Sequence, residues 1–237
     1  MKKYINVKVK SYSNLLAKNK DAFILALQLT RLSNAIRSQM RIWRKIIIES
    51  ENEDDIIKFK NRFDITLLLA SILYESIKTY KKDIEIKILP CLVHETNRQK
   101  YFLYKERFDL KEFENNEFLR LLKTLRDKIV FHFDKGIITR TIDKIDFDEE
   151  EHLIAFGTSI QIKDMFFSIT DDIVLNYLMD EFSSFFINNK VSAFYNKIEN
   201  QITDESLKLA EYFDLLIGDL LTDNLFWTEE ELSETNI

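Results

Sequence analysis

The chain has 237 residues, 46% of them hydrophobic and 31% charged, with 40 acidic against 34 basic side chains and a formal charge of −6. Three glycines, one proline and one cysteine exclude collagen-like, low-complexity and disulfide-scaffold classes, and they are too few turn-formers for an all-β fold of this size. The composition predicts a single, mainly α domain over residues 1–237, with loops built from Asn, Asp, Ser, Glu and Lys.

The acid excess argues against broad electrostatic capture of nucleic acid, although a local basic site is compatible with it. Cys91 has no intrachain disulfide partner, and the N-terminal MKKYINVKVKSYSN carries charges where a signal peptide needs an apolar stretch. The most apolar run, Ile65–Tyr74, is about ten residues long, whereas a membrane span needs ~20. A cytoplasmic protein without a transmembrane helix is expected.

Residues 1–20 hold a short alternation, Ile5-Asn6-Val7-Lys8-Val9-Lys10, that suits either an edge strand or a mobile arm. From Asp21 to Ser50, Leu25, Leu29, Leu32, Ile36, Met40, Trp43 and Ile47 recur at spacings of three and four, which predicts one long amphipathic helix. After the polar break Ser50–Asp54, Ile57–Tyr80 resumes the helical pattern, and the two helices are expected to pair antiparallel. Residues 81–113, with Pro90 and many charges, read as an excursion holding a short helix and no core element.

A third helix is predicted from Asn116 to Phe133, completing the first three main helices within 21–133, with Gly136 just beyond it as the C-terminal cap. Residues 134–170 read as an acidic loop, Asp143–Glu151, followed by a small β-hairpin from His152–Phe156 and Met165–Ile169. The C-terminal helices occupy 171–225: one capped by Thr170-Asp171-Asp172 and one from Asp204 to Leu221, ahead of an acidic tail at 226–237. The fold class is thus a helical bundle of about five main helices with a small hairpin insertion.

Glycines only at positions 136, 157 and 218 exclude a Gly-rich phosphate loop, and neither HExxH nor paired CxxC occurs. Cys91-Leu-Val-His94 has ligand-like spacing without a second pair, and the run Asp146, Asp148, Glu149, Glu150, Glu151 suits a solvated loop. No metal and no cofactor is expected.

The apolar helix end Leu125-Arg126-Asp127-Lys128-Ile129-Val130-Phe131-His132 places an arginine six positions before a histidine. In a straight α-helix the two point about 120° apart and stand ~9 Å apart along the axis. They converge on one small group only if the last turn unwinds or two copies of the helix meet. R-x5-H at a helix end resembles the R-x4-6-H motif of the HEPN superfamily, and Asp127 is similar to the polar residue that often follows that arginine. The resemblance implies a helical-bundle homodimer with metal-independent endoribonuclease activity, in RNA processing, toxin–antitoxin or phage-defence systems, and an antitoxin or defence-system protein as partner. By the same resemblance Arg126 would hold the scissile phosphate, with Asp127 beside it, and His132 would be the general acid or base. Position 134, where a related subgroup has a modifiable tyrosine, is Asp134 here, so that form of control is not implied.

A guanidinium is permanently charged with paired donors, and imidazole titrates near neutrality, so the residue types suit those roles. On the first helix Arg31, Asn34, Arg37 and Arg41, with Ser38, Arg44 and Lys45, mark a polar face suited either to RNA phosphates or to pairing with nearby carboxylates. A non-catalytic helical module that binds a partner protein or regulates a defence complex is the alternative reading of the whole.

Overall fold

Helix α1 runs from Tyr12 to Glu49, beginning earlier than its apolar periodicity suggests because a kink hides the first turns from the pattern. Asn19 breaks the helical path with φ −134° and ψ 34°, and its side-chain amide donates to the Asn224 carbonyl at 3.3 Å. Such a short polar side chain competes with the helical ladder and favours a break. Beyond the kink, Leu25, Leu29 and Ile36 are buried as the stripe requires. In the computed structural model the described residues are 4–6, 12–49, 55–107, 116–130, 135–142, 154–155, 166–182, 191–224 and 233–235.

The order continues with α2 (Asp55–Thr79), a π-helical turn (Tyr80–Ile84), α3 (Glu85–Cys91), α4 (Glu95–Arg107), α5 (Glu117–Thr124), a second π-helical turn (Leu125–Val130), α6 (Lys135–Ile142), α7 (Ser168–Glu181) and α8 (Val191–Asp223). Four short strands accompany them: β1 (Tyr4–Asn6) pairs antiparallel with β4 (Ser233–Thr235), and β2 (Ile154–Ala155) with β3 (Phe166–Phe167). The architecture is a mainly α helical bundle, and no described helix is long and apolar enough to cross a membrane.

The chain divides into two compact units, one of residues 1–37, 75–112 and 207–237, the other of 38–74 and 113–206. In the first, Tyr80 and Tyr212 meet edge-on with ring centroids 5.5 Å apart and hydroxyls 2.5 Å apart. Ile84, Ile88, Leu92 and Tyr101 are buried in the same unit, so the described part of the excursion expected at 81–113, residues 81–107, does contribute to a core. Tyr80, Ile84, Ile88 and Leu92, every fourth residue, point inward, a stripe that the lysines around it obscure. Lys105 bonds Glu85 at 2.6 Å and ties α4 back onto α3. α3 continues past Pro90 to Cys91, the Leu92 N–H still bonds the Ile88 carbonyl at 3.1 Å, and the chain leaves at Leu92 with φ −87° and ψ 114°.

In the second unit, Asn116 caps α5 by accepting from the Phe118 N–H at 2.8 Å. Phe118, Leu121, Leu122, Leu125 and Ile129 are buried, matching the stripe of the predicted third helix. Gly136 is not its C-cap, because it lies in the first turn of α6, where Ile137 and Thr141 bury one face at a spacing of four. A helix of eight residues is too short to register as a period. Thr170-Asp171-Asp172 likewise fall inside α7, which starts at Ser168, and α8 begins at Val191, thirteen residues before the Asp204 expected. The missed part of α8 places Glu199 among Tyr195, Ile198 and Ile202 on its inward face, and a charge in that register masks the stripe. The acidic run at 146–151 lies outside the described residues.

Candidate functional site

Arg126 and Asp127 sit in the π-helical turn that continues α5. The expected straight α-helix through Asn116–Phe133 therefore changes its winding at Leu125, one residue before the motif. The i→i+5 pattern widens the turn, and π segments are frequent at functional sites. Leu125 and Ile129 face the core at 1% and 8% exposure, so the turn is anchored on its inner side. Arg126 and Asp127 stand at the rim, with side chains 31% and 33% exposed. The Arg126 Nη1 donates to the Asp127 Oδ1, so adjacent residues hold each other's charged groups. His132 lies outside the described residues.

Arg126 thus presents a half-desolvated guanidinium whose orientation is restrained by a carboxylate. Partial burial strengthens its field on an incoming anion, while Asp127 offsets part of its charge.

The proposed basic face of α1 is divided in its bonding. Arg31 and Asn34 are exposed in the first unit and Arg41 is exposed in the second. Arg37 has an intramolecular partner: it donates to Asp214 on α8, which also accepts from the Ser33 hydroxyl at 2.7 Å. For Arg37 the structure thus selects pairing with a nearby carboxylate. Cys91 ends α3 half-buried, and burial pushes its thiol upward. His94 is exposed in the following loop, and no group of three metal-type side chains occurs among the described residues.

Periodicity did not reveal a buried polar network in the second unit. Glu199, 2% exposed, accepts from Arg62 through both oxygens, from Trp43 Nε1 at 3.2 Å and from the Tyr195 hydroxyl at 3.2 Å. Tyr195 also meets Thr66 at 3.2 Å, and the Arg62 guanidinium lies 5.8 Å from its ring centroid. Hydrogen bonding to Glu199 holds the Arg62 guanidinium proton more tightly, and burial raises Tyr195 above the usual phenol range. Both oxygens are engaged, Oε1 by three donors and Oε2 by Arg62, so the cluster braces the unit. Its sequence signal is a glutamate in core register on α8, next to an apolar small cavity lined by Phe63, Leu67, Leu125, Leu178 and Tyr195.

Comparison with protein-family models, with curated proteins and with solved structures gave no match.

Proposed function

We propose that this chain is a HEPN-like, metal-independent endoribonuclease that works as a homodimer in a toxin–antitoxin or phage-defence setting. The observation that carries the reading is Arg126 itself. It is a half-buried guanidinium, restrained by Asp127, in a π-helical turn six positions ahead of His132. A buried strip at Leu125 and Ile129 fixes the backbone beneath it, which is the support a phosphate-orienting cation needs.

In this mechanism the RNA 2′-hydroxyl oxygen attacks the adjacent phosphorus, and the bond from phosphorus to the 5′-oxygen breaks. His132 of one motif accepts the 2′ proton or delivers a proton to the departing 5′-oxygen, and a second copy of the motif performs the complementary transfer. Arg126 donates to the non-bridging oxygens as negative charge grows on the phosphorane. The products are a 2′,3′-cyclic phosphate and a 5′-hydroxyl end.

The second reading is a non-catalytic module that binds an antitoxin or another defence-system protein. It is favoured by the net charge of −6 and by the way Asp127 already answers Arg126. One assay separates the two: a mixed RNA pool is incubated with the full chain in excess chelator, beside Arg126→Ala and His132→Ala variants of confirmed fold. The ribonuclease reading expects cyclic-phosphate ends from the parent chain and a loss of roughly a hundredfold or more in each variant. Undiminished cleavage in both variants overturns the site, and no cleavage by any form puts the binding module first.

A further inference from the structure

The exposed face of α1 near its C-terminus is self-complementary, and we infer that it docks a second copy of this chain in antiparallel orientation. This inference stands on surface geometry within the second unit and does not rest on the ribonuclease reading.

The core stripe of α1 is fully buried at Ile36, but its continuation through Met40 and Trp43 is only half-buried. On the opposite side of the same segment, Ile42 and Ile48 are 47% and 54% exposed. Arg41, Lys45 and Glu49 are exposed with them. At 100° per residue these five positions fall within about 120° of arc, on one face.

Their order is a palindrome about Lys45: an arginine and an isoleucine on one side at −4 and −3, an isoleucine and a glutamate on the other at +3 and +4. A two-fold axis through Lys45, perpendicular to the helix, carries each position 45−n onto the place facing 45+n of the other copy. Ile42 of one copy then meets Ile48 of the other, and Arg41 meets Glu49, each contact occurring twice. That is the pattern an isologous interface requires, with apolar contacts inside and opposite charges at the ends. Lys45 lies at the axis, where its 3.5 Å contact with Glu49 of its own chain offsets its charge and its long stem lets the ammonium reach water.

A helix face of this length buries less than the ~800 Å² per partner of a standard interface, so association is expected to be weak and concentration-dependent. Sedimentation velocity over low- to high-micromolar full-length chain should show monomer giving way to dimer, with the shift opposed by salt. Arg41→Glu alone and Glu49→Arg alone each place like charges in both end contacts, and each should raise the dissociation constant about tenfold or more. Mixing the two variants restores opposite charges at both ends, so a one-to-one heterodimer should form with the affinity of the parent. Ile42→Glu should also abolish the dimer while circular dichroism stays unchanged, because the position is at the surface. A chain that stays monomeric throughout, or a dimer indifferent to both charge reversals, overturns the inference, as does failure of the mixture to recover pairing.

Discussion

A carboxylate with 2% exposure survives in the second unit because three side chains donate to it. Glu199 takes hydrogen bonds from Arg62, Trp43 and Tyr195, so its desolvation is offset within the protein. Glu199→Ala leaves the Arg62 charge and two donors without that acceptor, and should cost about 3–5 kcal/mol. The expected loss in melting temperature is roughly 10 °C for a chain of this size. An Arg62→Ala, Glu199→Ala double variant losing less than the sum of the single variants would identify the stranded charge as the cause; additive losses would remove that account.

Asp219 is the opposite case, because its Oδ2 is buried without a hydrogen-bond partner while Lys100 reaches only Oδ1, at 3.5 Å. Burial raises its pKa above the ordinary carboxylate value, and the nearby Asp223 adds to this while Lys100 opposes it. The folded state therefore holds the proton more tightly than the unfolded chain. Stability falls as pH rises from about the free carboxylate value of ~3.9 to the raised one, and the penalty is complete above it. Asp219→Asn should melt higher than the parent at neutral pH and converge with it at acid pH. A melting difference that does not change with pH would sink this account.

At the scale of elements, the same helix α8 that holds Glu199 also caps α4 from a distance. Asp223 accepts from the Val93 N–H at 2.7 Å, the His94 N–H at 3.1 Å and the Asn97 side chain at 2.7 Å. Asn224 adds a bond to the Cys91 carbonyl at 3.1 Å, so the end of α3 and the start of α4 are both satisfied by one corner of the chain. Asp223→Ala should cost about 2–4 kcal/mol. Hydrogen exchange should accelerate first at Val93 and His94, and uniform acceleration across the unit would argue against a local cap.

The elements legible in the sequence were those whose stripe is long and uninterrupted, as in α1 and in α5 taken together with the π-helical turn that continues it. Those missed were short, as in α6, or carried charges through the inward register, as with Glu199 on α8 and the lysines around Tyr80 and Ile84. The short helix expected within 81–113 is present, but its place in the core was not legible. The change of winding at Leu125 has no signature in residue types.

For the whole molecule, composition alone carried the fold class, because scarce glycine and proline leave few routes except helices joined by polar loops. The candidate site was legible only as residue types at a spacing, since a short motif says nothing about burial or about which cations are already engaged. Arg37 shows the gap: its periodicity with Arg31 and Asn34 suggests a phosphate-binding face, yet Asp214, distant in sequence, claims it. Charge at this scale also bears on the ribonuclease reading. On that proposal, a net charge of −6 disfavours RNA over most of the surface, and contact would depend on local cations such as Arg126.

The placement of buried polar partners on α8 has a consequence for how the protein is made. Tyr195 and Glu199 complete the second unit, while Tyr212, Asp214 and Asp223 complete the first, and all five belong to residues 191–223. A ribosome translates α1 to α7 before any of them emerges, so neither unit can close while the chain is still short of this helix. The nascent chain must wait with Arg62, Tyr80 and the start of α4 unsatisfied, exposed to chaperones and proteases. Messages interrupted before codon 191 therefore yield products that quality control can recognise, and only a chain translated through α8 can complete both units.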